Sequence, residues 1–242
     1  MSQIDQKSPT SPPPYDEHKP QTVLLIHSLF SPSGSYDWIE VTETLKEKGF
    51  QVLAPSLTPD QLSNYDTCVS FLAEEIKKNS ESGKAHVVGL SVGAFLAVKL
   101  AMAHQDRVSS VLISGLTVYP LLVRPLLVMP IYVRKRMVSS CFGGPAFTLR
   151  NCISITKMLA PLRDLQSIEA RTMTVVASIH DSLRTALALR KNWSGDADFQ
   201  AKEGKHLPHL WNRRRPRLFA ELIKAWANNT WSAELGAVFV HI

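Results

Sequence analysis

Between residues 22 and 115, four short aliphatic runs alternate with three segments of helical pattern, and this alternation restricts the fold more than any other feature. Residues 22–27 (TVLLIH) form a continuous apolar run, the pattern of a strand covered on both faces in a parallel sheet. Residues 38–48 read as an amphipathic helix ended by Gly49, and residues 50–55 (FQVLAP) as a second strand. Val69, Leu72, Ala73 and Ile76 share one face of a helix over residues 69–78. A strand over 85–88, a largely apolar helix over 92–104 and a strand over 108–115 complete the run. The order β-α-β-α-β-α-β with short connections predicts an α/β fold on a mainly parallel sheet.

Residues 118–166 break the rhythm and are expected to form an inserted cap. Their apolar run over 118–133 is interrupted by Pro120, Arg124, Pro125 and Pro130, too short and too broken to span a bilayer. The alternation then resumes with a strand over 173–178, a helix over 182–192, a weak strand over 198–201 and a helix over 216–228. The domain is expected to cover residues 21–230, with 231–242 as a tail whose apolar end (LGAVFVHI) either packs on the body or stays loose. A chain of 242 residues is long enough to bury one sizeable core. Residues 1–20 carry too little apolar surface to offset ordering entropy and are expected to be disordered. Within them Pro12, Pro13, Pro14 and Tyr15 match the PPxY pattern that WW domains read, so a weak contact of that kind is one expectation and a plain flexible leader the other.

The net charge of +6 would suit a polyanion partner if it were spread over the surface. It is instead concentrated in two runs, Arg134, Lys135 and Arg136 in the expected cap and Arg213, Arg214, Arg215 and Arg217 further on, and the rest is close to neutral. No nucleic-acid partner is therefore expected, and the second run reads as the charged rim of a site. Cys68, Cys141 and Cys152 are odd in number and widely spaced, which argues against a disulfide framework or a zinc site. With neither a charged-then-apolar leader nor a membrane-length apolar segment, a cytoplasmic protein without stable membrane insertion is expected.

The stretch richest in chemistry is Gly89-Leu90-Ser91-Val92-Gly93, a G-x-S-x-G pattern between an expected strand and an expected helix. On such a turn the glycines remove steric conflict, the serine hydroxyl is exposed, and the helix N-terminus offers N–H groups to a developing oxyanion. The sequence HVVGLSVGAFLAVKLA resembles the nucleophile elbow and following helix of the α/β-hydrolase family. VLLIHSLFSPSGSYDW resembles that family's strand and oxyanion loop, with Ser28 in place of the usual glycine, and HLWNRRRPRLFAELIKAWA resembles the closing segment of small fungal-type members. The resemblance runs from about Thr22 to Trp226, apart from the cap.

The resemblance implies a triad in the order Ser, acid, His. Ser91 is the implied nucleophile, and Asp181, which follows the strand after the cap, is the implied acid. Asp181 also suits a helix N-cap, because SLRTALALRK follows it. Asp164 precedes that strand, and Glu203 would at best be a neighbour of the base. The base is open between His209 and His206. The family's proline spacing favours His209, since Pro216 lies seven residues beyond it. His27 reads as support for the oxyanion loop, His180 as a pocket-rim or structural residue, and His104 as a partner of helix-terminal carbonyls. The implied oxyanion donors are the backbone N–H groups of Val92 and Leu29.

This scheme needs no cofactor and no metal. It describes a serine hydrolase acting on a carboxylic ester or related acyl bond of a small substrate, held beneath apolar cap residues such as Tyr119, Leu122, Leu126 and Tyr132. A non-hydrolytic protein of the same fold, binding a small ligand or catalysing a lyase or rearrangement step, is the alternative, because fold alone does not fix function.

Overall fold

The computed structural model describes residues 20–27, 34–58, 61, 64–116, 168–177, 183–192 and 198–242. The PPxY segment, the expected cap, Ser28, Leu29, His180 and Asp181 lie outside the described residues.

The elements follow in the order β1 (Thr22–Ile26), α1 (Ile39–Glu47), β2 (Gln51–Leu53), α2 (Tyr65–Asn79), β3 (Ala85–Leu90), α3 (Val92–Ala103) and β4 (Val108–Ser114). After the cap region come β5 (Arg171–Val176), α4 (Leu183–Asn192), β6 (Phe199–Gly204), α5 (Trp211–Arg214), α6 (Pro216–Ala227), α7 (Ala233–Val238) and β7 (Phe239–His241). The strands form one sheet in the order β2-β1-β3-β4-β5-β6-β7. Neighbours are parallel from β2 through β6, and β7 pairs antiparallel with β6. This is the α/β arrangement that the alternation predicts.

Because side chains alternate across a strand, β1 feeds both faces of the sheet. Leu24 and Ile26 join a core with Cys68, Val69, Leu72 and Ile76 of α2 and Phe95, Leu96 and Leu100 of α3. Val23 and Leu25 join a core on the other face with Val41 and Leu45 of α1 and Phe219, Leu222, Ile223 and Trp226 of α6. The sheet is thus sandwiched between helical layers, which explains why its central strands carry no polar alternation. α3 is buried almost all round, so it shows no amphipathic stripe.

Element boundaries move where a local interaction overrides the pattern. α2 starts at Tyr65 rather than near residue 69, because the Asn64 side chain caps it by accepting a hydrogen bond from the Thr67 N–H at 3.4 Å. β6 continues to Gly204, past the expected end at residue 201, because β5 pairs with Lys202 and Glu203 on one side and β7 with Lys202, Glu203 and Gly204 on the other. The C-terminal segment, left open by its sequence, forms α7 and β7, with Leu235 and Phe239 buried in the second core.

The chain leaves β1 toward β2 on one side and returns to place β3 on the other. The order therefore reverses between β1 and β3, and ligands of open α/β sheets bind beyond the carboxyl ends of the strands at such a point.

Candidate active site

Ser91 occupies that position. It follows the last residue of β3 and precedes the first residue of α3. Its backbone is left-handed (φ 56°, ψ −114°), a conformation that costs a residue other than glycine about 1–3 kcal/mol and must be held by its surroundings. Two contacts hold it. The Ser91 N–H donates to the Ser114 carbonyl at the end of β4 over 2.9 Å. The Ser91 carbonyl accepts from Ala94 and Phe95, at 3.0 and 3.4 Å, which closes the first turn of α3. Serine is a favoured N-cap residue, yet the Ser91 side chain makes no cap hydrogen bond, so its hydroxyl is not spent on the helix.

The flanking glycines are required by packing. A Cβ on Gly89 would lie 2.2 Å from the Gly93 carbonyl oxygen. A Cβ on Gly93 would lie 2.2 Å from the Ile26 carbonyl oxygen and 2.8 Å from that of His27. Strand, turn and helix thus press directly against the end of β1. Val92 is the first residue of α3, where an N–H has no acceptor inside the helix and the helix dipole is positive.

Buried His27 directly follows β1, and its Nε2 accepts the Leu57 N–H at 2.9 Å. This ring therefore ties the end of β1 to the segment after β2. The loop that follows, Leu29 included, lies outside the described residues.

The two candidate bases follow β6 in different settings. His206 is exposed, with positive φ (57°), at the tip of a turn. That turn is pinned on either side by Lys205 N–H donating to the Val238 carbonyl and by buried Leu207 packed on Gly204. His209 is half-buried and stands two residues before Trp211.

Sequence reasoning missed Trp211. It is fully buried, and its indole Nε1–H donates to the Ser114 hydroxyl at 2.9 Å. Ser114 thereby holds two segments at once: its carbonyl fixes the Ser91 N–H and its hydroxyl fixes the segment after His209. A second anchor lies next to the first. Buried Asn212 donates through Nδ2 to the Asp37 carbonyl at 3.0 Å, and Arg213 pairs with the buried Asp37 carboxylate. One arginine of the basic run is thus structural. The sequence signal was available: tryptophan and asparagine directly after the histidine loop are residues that demand hydrogen-bond partners when buried.

The pattern of the alpha/beta hydrolase family matches residues 23–240 of this chain, almost the whole span described above. The chain belongs to the alpha/beta hydrolase family. An AB hydrolase superfamily protein of Gibberella zeae is 30% identical over 236 residues, covering 88% of this chain and 82% of the relative. Among solved structures, an alpha/beta hydrolase enzyme from the metagenome of lagoon sediments at Mar Chica, Morocco, aligns with TM-score 0.64 and 17% identity, covering 87% of this chain and 92% of that one. A serine hydrolase from the polyaromatic-hydrocarbon-degrading bacterium Cycloclasticus zankles aligns with TM-score 0.61 and 14% identity, covering 88% and 91%. At such identities the structural likenesses establish the alpha/beta hydrolase fold.

Among the described residues no group of three or more His, Cys, Asp or Glu side chains is placed to hold a metal ion, and no helix is long and apolar enough to cross a membrane.

Proposed function

We propose that this alpha/beta hydrolase is a serine hydrolase that cleaves a carboxylic ester, or a related acyl bond, of a small and mainly apolar substrate. The observation that carries the reading is Ser91: a serine held in left-handed backbone between two glycines that cannot accept a Cβ, its hydroxyl unused by the helix it starts.

A serine hydroxyl is a poor nucleophile until a base takes its proton. In the proposed scheme His209 accepts that proton as Ser91 Oγ attacks the acyl carbon, then delivers it to the leaving alcohol. Asp181 holds the imidazole in the required tautomer and stabilises its charged form. The carbonyl oxygen, now negative, is received by the backbone N–H groups of Val92 and Leu29, and loss of one such donor costs on the order of 3 kcal/mol of transition-state stabilisation. Water repeats the cycle on the acyl-enzyme. His209 is preferred to His206 because its segment is anchored through Trp211 to the strand end that holds Ser91, whereas His206 faces solvent on a turn tip. The apolar cap residues and the arginines beyond Asp37 would form the walls and rim of the substrate site.

Hydrolysis of p-nitrophenyl esters of increasing acyl length tests this. Wild type is expected to turn over the esters, Ser91→Ala and His209→Ala to lose at least 1,000-fold in kcat/KM (about 4 kcal/mol), and His206→Ala to stay within a few-fold. Equal turnover by wild type and Ser91→Ala would remove the nucleophile. A silent His206→Ala with an active His209→Ala would exchange the two histidines.

A further inference from the structure

A cavity lies at the far edge of the sheet, lined by residues to which the proposed hydrolysis assigns no role. It has a volume of about 550 Å³ and is walled by β6, β7, the end of α6 and the segment around α7. That size falls in the range of small-molecule sites. The cavity is separated from the nucleophile across the sheet: Lys202 pairs with Val175, Val175 with Ser114 and Ser114 with Leu90, so Lys202 stands three strands from the residue before Ser91. Gln200 and Lys202 contribute from β6, and Asn229 and Thr230 from just beyond the end of α6. The C-terminal end of α6 lies at the amino-terminal side of the sheet, where Arg171, the first residue of β5, bonds the Trp226 and Ala227 carbonyls. Ser91 follows β3, three strands from β6.

The cavity holds a buried cation. Lys202 is 4% exposed, and its Nζ meets the His241 Nε2 at 2.6 Å and sits 4.3 Å from the centre of the Trp231 ring. Both partners are neutral groups when His241 accepts. Among the described residues no carboxylate lies within ion-pair distance of this ammonium. Asp198, whose field does reach it, accepts a hydrogen bond from the Gln200 side chain at 2.8 Å. Burial pushes the Lys202 amine below its ordinary range. A buried ammonium without an anion beside it is a costly arrangement, and an anion from outside would relieve it.

The remaining walls fit the body of such a ligand. Trp231, 39% exposed, gives aromatic surface, with Trp226 and Phe239 buried beneath it, while Gln200 and Asn229 add amides. Trp231 and Asn229 are exposed at the mouth, so entry needs no opening of the core. We propose that this cavity binds a small carboxylate with an aromatic or apolar body, its carboxylate on Lys202 Nζ and its body against Trp231. The site stands independently of the hydrolase reading.

The test is calorimetric titration of the full-length protein with phenylacetate and indole-3-acetate, and with the matching neutral amides, after Ser91 has been blocked by a bulky phosphonate. If the protein does not react with the phosphonate, which speaks only to the hydrolase reading, the titration is run on the unmodified protein. Binding of the acids, at least tenfold weaker binding of the amides, and at least tenfold loss in both Lys202→Met and Trp231→Ala are expected. Far-ultraviolet circular dichroism of each variant confirms that it is folded. If neither acid binds at millimolar concentration, or if Lys202→Met and Trp231→Ala both bind as wild type does, the proposal is overturned.

Discussion

Gly93 shows how little freedom a single position has when three backbones converge. Its missing Cβ leaves room for the Ile26 carbonyl, and at 2.2 Å no side-chain adjustment relieves the conflict, because the obstacle is itself backbone in the central sheet. Gly93→Ala is therefore expected to lower stability by about 3 kcal/mol or more, or to prevent folding. A urea midpoint unchanged from wild type would show that the turn relaxes. Trp211 acts differently, since its ring packs in the core while its N–H reaches Ser114. In Trp211→Phe most of the packing stays but the Ser114 hydroxyl loses its donor, at a cost of about 1 kcal/mol in stability. If the segment after β6 is held in register by this bond, kcat on a p-nitrophenyl ester falls about tenfold or more with KM nearly unchanged. A fall in stability with unchanged kcat would mean the bond is structural only. Ser91 was legible from its motif; the partner of Trp211 was not, because the pairing joins residues 97 apart in sequence.

At the scale of elements, legibility followed burial pattern. β1 is a continuous aliphatic run and β3 and β4 are mostly apolar, and all three fell within a residue or two of the expected bounds, as suits strands covered on both faces. The segment from α7 to β7 resisted reading because three residues on an edge carry no periodicity, and the strand exists only through pairing with β6. Phe239 nevertheless anchors it, packing at 5.5 Å from Trp211, ring centre to ring centre. Phe239→Ala is expected to cost about 3–5 kcal/mol, the usual range for a buried phenylalanine, and to shift the urea midpoint accordingly. A loss below 1 kcal/mol would mean that this edge is dispensable to the fold. Asp181, by contrast, was assigned through the order of the family motif and lies outside the described residues, so its place rests on sequence alone.

Across the whole molecule, the buried base His86 should make stability depend on pH. His86 is buried in β3, its Nδ1 paired with the Ser110 hydroxyl at 2.8 Å, and burial together with nearby Arg171 lowers its pKa from 6.5 to about 4. The ring is neutral in the fold and titrates first in the unfolded chain, so protons favour unfolding. Its contribution is fully present above pH 6.5 and is lost as the pH falls toward 4, about 3 kcal/mol over that window. Urea melts between pH 7 and pH 4 should show this decline, and His86→Gln, which does not titrate, should flatten it. Equal slopes for the two proteins would assign the acid sensitivity elsewhere.

The central claim is that Ser91 is an activated nucleophile. Its most direct measurement is the intact mass of the protein after brief exposure to a fluorophosphonate at pH 8, followed by mapping of the modified peptide. A single phosphonyl adduct on the peptide containing Ser91, absent from Ser91→Ala and strongly slowed in His209→Ala, is the predicted result. An unmodified wild type, or an adduct that persists in Ser91→Ala, would contradict it.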